Sequence, residues 1–118
     1  MINRETMPGR LQDRVAIVTG ASSGLGRAIS LRYASEGAKV VCSDLRADAP
    51  NESDGQTTHD AIIKNGGEAI FVKTDVRESA EVEALVAAAV EKFGRLDMYV
   101  FTSITQAPRF QGLRRLPR

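Results

Sequence analysis

Residues 15–26 restrict the fold of this chain more than any other stretch. Val15-Ala16-Ile17-Val18 is a short apolar run rich in β-branched residues, the composition of a parallel strand covered on both faces. It leads directly into Thr19-Gly20-Ala21-Ser22-Ser23-Gly24-Leu25-Gly26, whose glycines are spaced G-x-x-x-G-x-G. The period then changes. Leu25, Ala28, Ile29 and Tyr33 fall at i, i+3, i+4 and i+8, which predicts one apolar face of a helix. Gly37 is placed to end that helix as a left-handed cap. A tight glycine turn between a buried strand and a helix lets the backbone approach a phosphate, because side chains at the glycine positions would collide with the ligand or the sheet. The N–H groups and dipole of the first helical turn favour an anion there, and Ser22 and Ser23 can add hydroxyl donors. Gly20, Ser22, Ser23, Gly24, Leu25 and Gly26 are therefore candidates for holding the pyrophosphate of a dinucleotide. The plainer alternative is a glycine-rich turn without a ligand.

The same alternation continues down the chain. Ala38-Lys39-Val40-Val41-Cys42 reads as a second strand, and the polar stretch Leu45–Thr58, with Pro50, Asn51 and Gly55, as a surface loop. A short helix is expected from about Thr58 to Lys64, closed by Gly66-Gly67, and a third strand at Ala69-Ile70-Phe71-Val72. Ser79 is a plausible N-cap, with Glu81 and Glu83 in the first turn where the helix dipole favours them. Val82, Leu85, Val86, Ala89, Val90 and Phe93 give the strongest helical stripe, ended by Gly94, and Leu96–Phe101 reads as a fourth strand. The order βαβαβαβ implies an α/β fold: a Rossmann-like, doubly wound parallel sheet, here partial. Right-handed crossovers give the strand order 3-2-1-4. Periodicity stops after about Thr102. The expected organisation is an N-terminal extension at 1–12, a partial NAD(P)-binding Rossmann domain at 13–103 and an unstructured basic tail at 104–118.

With 118 residues the chain suits one modest domain, and 42% apolar content suits a folded one. No stretch approaches the roughly 18 apolar residues of a membrane span, and the first twelve residues carry no signal-peptide pattern. Cys42 is the single cysteine, which excludes an internal disulfide and fits a reducing, cytoplasmic setting. The formal charge of +1 hides an asymmetry: every acidic residue lies at or before Asp97, whereas Arg109, Arg114, Arg115 and Arg118 follow. Four tail arginines are a weak nucleic-acid signal, so neither nucleic acid nor membrane is expected as a partner.

Two further positions complete the candidate site. Asp44 ends the second strand, 18 residues beyond Gly26. A carboxylate there can accept hydrogen bonds from both hydroxyls of the adenosine ribose, and its charge would repel a 2′-phosphate. It favours NAD. Arg46 could pair with that 2′-phosphate instead, so NAD and NADP both stay open, NAD ahead. Asp75-Val76 follows the third strand. Strand C-termini line the ligand crevice in this architecture, so Asp75 could accept from the adenine amino group and Val76 could pack on the ring. His59, alone in a polar region, reads as a solvated loop residue rather than a base.

Taken together, the Thr19–Gly26 turn, Asp44, Asp75-Val76 and Phe93-Gly94-Arg95-Leu96-Asp97 resemble the N-terminal half of the classical short-chain dehydrogenases/reductases, over about residues 11–100. The resemblance implies hydride transfer between NAD(H) or NADP(H) and an alcohol or carbonyl carbon. It also implies an Asn-Asn-Ala-Gly segment after the fourth strand, where this chain reads Phe101-Thr102-Ser103-Ile104. The family's catalysis uses a Ser and a Tyr followed four residues later by Lys. Here Gly37 lies four residues after Tyr33 and Ser103 four after Tyr99. No catalytic residue and no metal ligand is assigned. The expectation is a truncated, inactive chain whose cofactor half remains, or a non-catalytic dinucleotide-binding fragment. The abrupt change near Val100 is what a frameshift, a retained intron or a mis-assigned gene model would produce. An exposed fourth-strand edge, Met98-Tyr99-Val100-Phe101, would favour self-association.

Overall fold

The computed structural model describes residues 9–47 and 56–102. In chain order they form β1 (Val15–Thr19), α1 (Gly24–Ser35), β2 (Lys39–Asp44), α2 (Thr58–Lys64), β3 (Ala69–Lys73), α3 (Ser79–Phe93) and β4 (Met98–Val100). The expected tail, and the loop expected around Pro50, Asn51 and Gly55, fall wholly or largely outside the described residues. All four strands pair in parallel in the order β3-β2-β1-β4, as the alternation of elements predicts.

Alternate residues of the strands feed two cores. Val18, Val40 and Cys42 pack with Ile62 of α2 and with partly buried Ile29, Tyr33 and Ala34 of α1. Val15, Ile17 and Val41 pack with Leu85 and Ala89 of α3. The sheet thus has α1 and α2 on one face and α3 on the other, and β1, flanked by β2 and β4, is buried along its whole length. Burial pushes the Cys42 thiol up to about 12, so it packs as a small neutral hydrophobe.

Several local expectations are corrected. The predicted face of α1 is rotated: Leu25 is 67% exposed and the residues buried are Gly26, Arg27 and Ser30. Ile29 and Tyr33 of the predicted face do pack on the core, while close approach of Gly26 to the Gly20 carbonyl turns Leu25 and Ala28 outward. On α3 the buried pair is Leu85 and Ala89, while Val90 is 46% exposed, one step round from Ala89. Its N-cap is Glu78 rather than Ser79. Glu81 supports the helix start by accepting from the Asp75 N–H at 2.8 Å. His59 belongs to α2 and is stacked on Phe71, ring centroids 5.7 Å apart.

The fourth strand is also shorter than Leu96–Phe101, because the residues before it have other work. Leu96 packs beneath α3. Asp97 clasps the start of β1: its N–H donates to the Val15 carbonyl and its carboxylate accepts from the Val15 N–H, both at 2.9 Å. Arg95 binds the same carboxylate at 2.7 and 2.8 Å, and Arg14 approaches at 3.4 Å. The Arg95 bond and then the Val15 bond hold the carboxyl down to about 2. A carboxyl bound more tightly when ionised stabilises the fold above the ordinary carboxylate range and loses that contribution as pH falls toward 2. Asp97→Asn should therefore lower the unfolding midpoint at pH 7 and flatten the loss of stability between about pH 4 and pH 2. Urea titrations across that range, followed by circular dichroism, check it; parallel acid profiles for both chains would refute it.

Candidate functional site

The candidate residues converge at the C-terminal edge of the sheet. The turn leaves β1 through Gly20, at φ 65°, and enters α1 through Gly24, at φ 57°. Both lie in the left-handed region that glycine occupies without strain. Gly26 answers a different demand. A Cβ there would sit 2.0 Å from the Gly20 carbonyl oxygen, so only glycine lets the helix backbone press on the turn.

The start of α1 is fitted for an anion. Ser23 is the N-cap but makes no side-chain capping bond, and no acidic residue lies in the first turn. The helix dipole is thus not offset by a carboxylate of the first turn itself. Ser23, Gly24 and Leu25 are exposed. Ser22 is buried and faces inward: its N–H donates to Asp44 Oδ2 at 3.1 Å and its hydroxyl donates to the Arg46 carbonyl. Ala21 N–H adds a bond to the Ser43 carbonyl at 3.1 Å. Three bonds therefore fasten the turn to the end of β2.

Asp44 accepts from Ser22 N–H through one oxygen and from Leu45 N–H, at 2.8 Å, through the other. Each oxygen keeps acceptor capacity beyond its backbone partner, which suits a diol. Arg46 is exposed on the turn after β2. Thr74 N–H donates to the Asp44 carbonyl at 2.9 Å, drawing the end of β3 to the same edge. There Asp75 is held by Arg77, whose guanidinium bonds both carboxylate oxygens at 2.7 and 2.8 Å, and Val76 is half-buried. The Asp75 bond pushes Arg77 up from its ordinary value.

Three residues not singled out from the sequence hold this edge together. Arg27 and Thr58 are 6% and 2% exposed. Arg27 donates to the Gln56 carbonyl at 2.9 Å, and the Thr58 hydroxyl donates to the Ala21 carbonyl at 2.6 Å. A long cation between small Gly26 and Ser30 was the available signal. Thr102 is the third. It stands within the segment where the family resemblance implies Asn-Asn-Ala-Gly, donates its N–H to Thr19 Oγ1 at 3.1 Å and its hydroxyl to the Thr19 carbonyl. Its Oγ1 would lie 2.7 Å from a Cβ at Gly26. Tyr33 packs on the α1 side of the core and Tyr99 is 40% exposed on β4.

A doubly wound sheet with a glycine turn and an acid at the next strand end defines a dinucleotide-binding α/β protein. The comparisons specify which one. Residues 14–108 match the family model described as short chain dehydrogenase, and the chain belongs to that family. It is 37% identical over 100 residues to a 7alpha-hydroxysteroid dehydrogenase of Escherichia coli, covering 85% of this chain and 36% of that one. To a hydroxynaphthalene reductase-like protein of Metarhizium acridum it is 37% identical over 106 residues, covering 90% and 38%. Among solved structures, hydroxysteroid dehydrogenase from Escherichia coli superposes with TM-score 0.69 at 38% identity, covering 78% of this chain and 37% of the other. A short chain dehydrogenase/reductase from Burkholderia phymatum in complex with NAD gives 0.65 at 39%, covering 75% and 30%. The chain thus spans about a third of these relatives' length, 30–38%.

The two glycines make separable predictions. Gly26→Ala should destabilise the fold by about 3 kcal/mol or more, since backbone and not a flexible side chain blocks the new Cβ. Gly24→Ala has open space around its Cβ and should cost only the left-handed backbone conformation, about 1 kcal/mol. Equal midpoints for the two variants in urea unfolding would contradict this packing.

Proposed function

We propose that this chain supplies the pyrophosphate- and adenosine-binding half of an oxidoreductase that moves hydride between NAD or NADP and an alcohol or carbonyl carbon. The observation that carries the reading is the Ser22 N–H to Asp44 bond at 3.1 Å. It joins the phosphate turn to the ribose-binding acid, two motifs far apart in sequence. The nicotinamide dinucleotide complex of the Burkholderia phymatum relative supports the cofactor class.

In this reading the backbone of Gly20, Gly24, Leu25 and Gly26 holds the pyrophosphate, with Ser23 offering a hydroxyl and Ser22 bracing the turn. Asp44 accepts from the adenosine ribose and disfavours a 2′-phosphate, so NAD is preferred; Arg46 is the cation through which NADP would be tolerated. Asp75 and Val76 flank the adenine. Bound nicotinamide supplies the carbon that gives or takes hydride, and the residues named here bind and orient its carrier. A cytoplasmic setting, with Cys42 reduced and buried, belongs to the same reading.

One observation favours binding without turnover for these 118 residues taken alone: neither tyrosine is followed four residues later by lysine. β4 also presents Tyr99, and Phe101 follows it, 40% and 36% exposed, an edge suited to self-association. Calorimetric titration should give weak binding in which ADP-ribose matches NAD within a few-fold, with no oxidation of NADH or NADPH by simple ketones. Tight, nicotinamide-dependent affinity or measurable turnover would sink this half-site reading. Asp44→Asn keeps the shape and removes the charge, and should narrow the preference for NAD over NADP by about tenfold, on the order of 1–2 kcal/mol of lost repulsion.

A further inference from the structure

The site as assigned from turn, Asp44 and Asp75 leaves one buried cation unexplained. Arg27 follows the last glycine of the turn, and its guanidinium reaches the segment that enters α2. It is 6% exposed. The same nitrogen donates to the Gln56 carbonyl at 2.9 Å and to Thr58 Oγ1 at 3.3 Å. Thr58, the first residue of α2 and 2% exposed, passes the connection on by donating its hydroxyl to the Ala21 carbonyl at 2.6 Å. Ala21 precedes Ser22, whose N–H holds Asp44.

From these contacts we infer that Arg27 and Thr58 are positioning residues for the adenosine end of the cofactor site. They join the segment entering α2 to the phosphate turn and, through Ser22, to Asp44. A buried arginine is costly unless its donors are satisfied, and a shorter apolar side chain would fill the space under α1 without that cost. What the guanidinium adds is direction: it fixes two acceptors on the segment entering α2, and through the Thr58 hydroxyl these fix the Ala21 carbonyl beside Ser22. The relay touches no ligand itself. It acts on affinity by keeping Asp44 and the turn in register before the cofactor arrives, which reduces the ordering that binding must otherwise bring about.

The inference rests on the dinucleotide reading above, and its test separates the two. ADP-ribose is titrated into the full chain and into Arg27→Met, Arg27→Lys, Thr58→Val and Thr58→Ser, each well below its own melting temperature, with the Ser22 amide resonance followed by NMR. Arg27→Met and Thr58→Val should each weaken ADP-ribose by about tenfold, the scale of one buried hydrogen bond to a charged or obligate partner, and should shift the Ser22 amide. Thr58→Ser, which keeps the hydroxyl, should bind within about twofold of the parent, and Arg27→Lys should fall between. If Arg27→Met does not fold, the Thr58→Val and Thr58→Ser pair decides. Lower melting temperatures with unchanged affinity and an unmoved Ser22 amide would make the relay merely structural and overturn the proposal. If the parent chain itself fails to bind ADP-ribose, the dinucleotide reading fails and takes the relay with it.

Discussion

How closely α1 can lie against the end of β1 decides almost everything at the C-terminal edge of the sheet. The Gly26 backbone rests on the Gly20 carbonyl at a distance no side chain would permit, and this sets both the height and the rotation of the helix. Rotation places Gly26, Arg27 and Ser30 inward, with Ser30 donating back to the Gly26 carbonyl at 2.8 Å. It also leaves Leu25 outside, over the turn. A larger residue at 26 would lift the helix, and the Arg27–Thr58 and Ser22–Asp44 connections, each limited to hydrogen-bond length, would part with it.

The two poles of the sheet divide their duties. At the N-terminal pole Asp97 binds both backbone groups of Val15 and gathers two arginines, closing the β1–β4 ladder where it begins. Each ion pair there is solvent-facing and worth little singly; the backbone bonds, which fix β4 in register with β1, matter more. At the C-terminal pole the polar groups serve the loops instead. Asp44, Ser22 and Thr58 hold turn and segment ends together, and the first turn of α1 carries no acidic residue of its own.

Strand order, helix placement and the glycine turn were all legible from the alternation of periods, because strands buried on both faces and tight turns leave strong compositional marks. The rotation of α1 was not. Of the face assigned by hydrophobic spacing, Ile29 and Tyr33 pack on the core, whereas Leu25 and Ala28 are exposed because Gly26, Arg27 and Ser30 take the inner positions. Arg27 and Thr58 were missed for a related reason: buried polar residues whose partners are backbone carbonyls carry no sequence spacing, since any residue can present a carbonyl. His59 read as solvated because its neighbours are polar, but its ring contact, Phe71, lies on β3. Its Nδ1 is buried and finds no hydrogen-bond partner among the described residues.

The strand order also fixes which part of a dinucleotide this chain can reach. α1 and α2 cover one face and α3 the other, so the chain changes face between β1 and β4, and the ligand crevice of such a sheet opens at that switch. Thr19 ends β1 on one side of the crevice and Thr102 follows β4 on the other, joined by hydrogen bonds from the Thr102 N–H and hydroxyl. Asp44, Arg46, Asp75 and Val76 all lie on the β2–β3 side. In the reading proposed above, a cofactor with its pyrophosphate over Gly20–Gly26 would extend its adenosine toward β2 and β3 and its other arm toward the β4 side. On that reading the candidate residues Asp44, Arg46, Asp75 and Val76 would all serve the adenosine arm, and their part would be recognition and orientation.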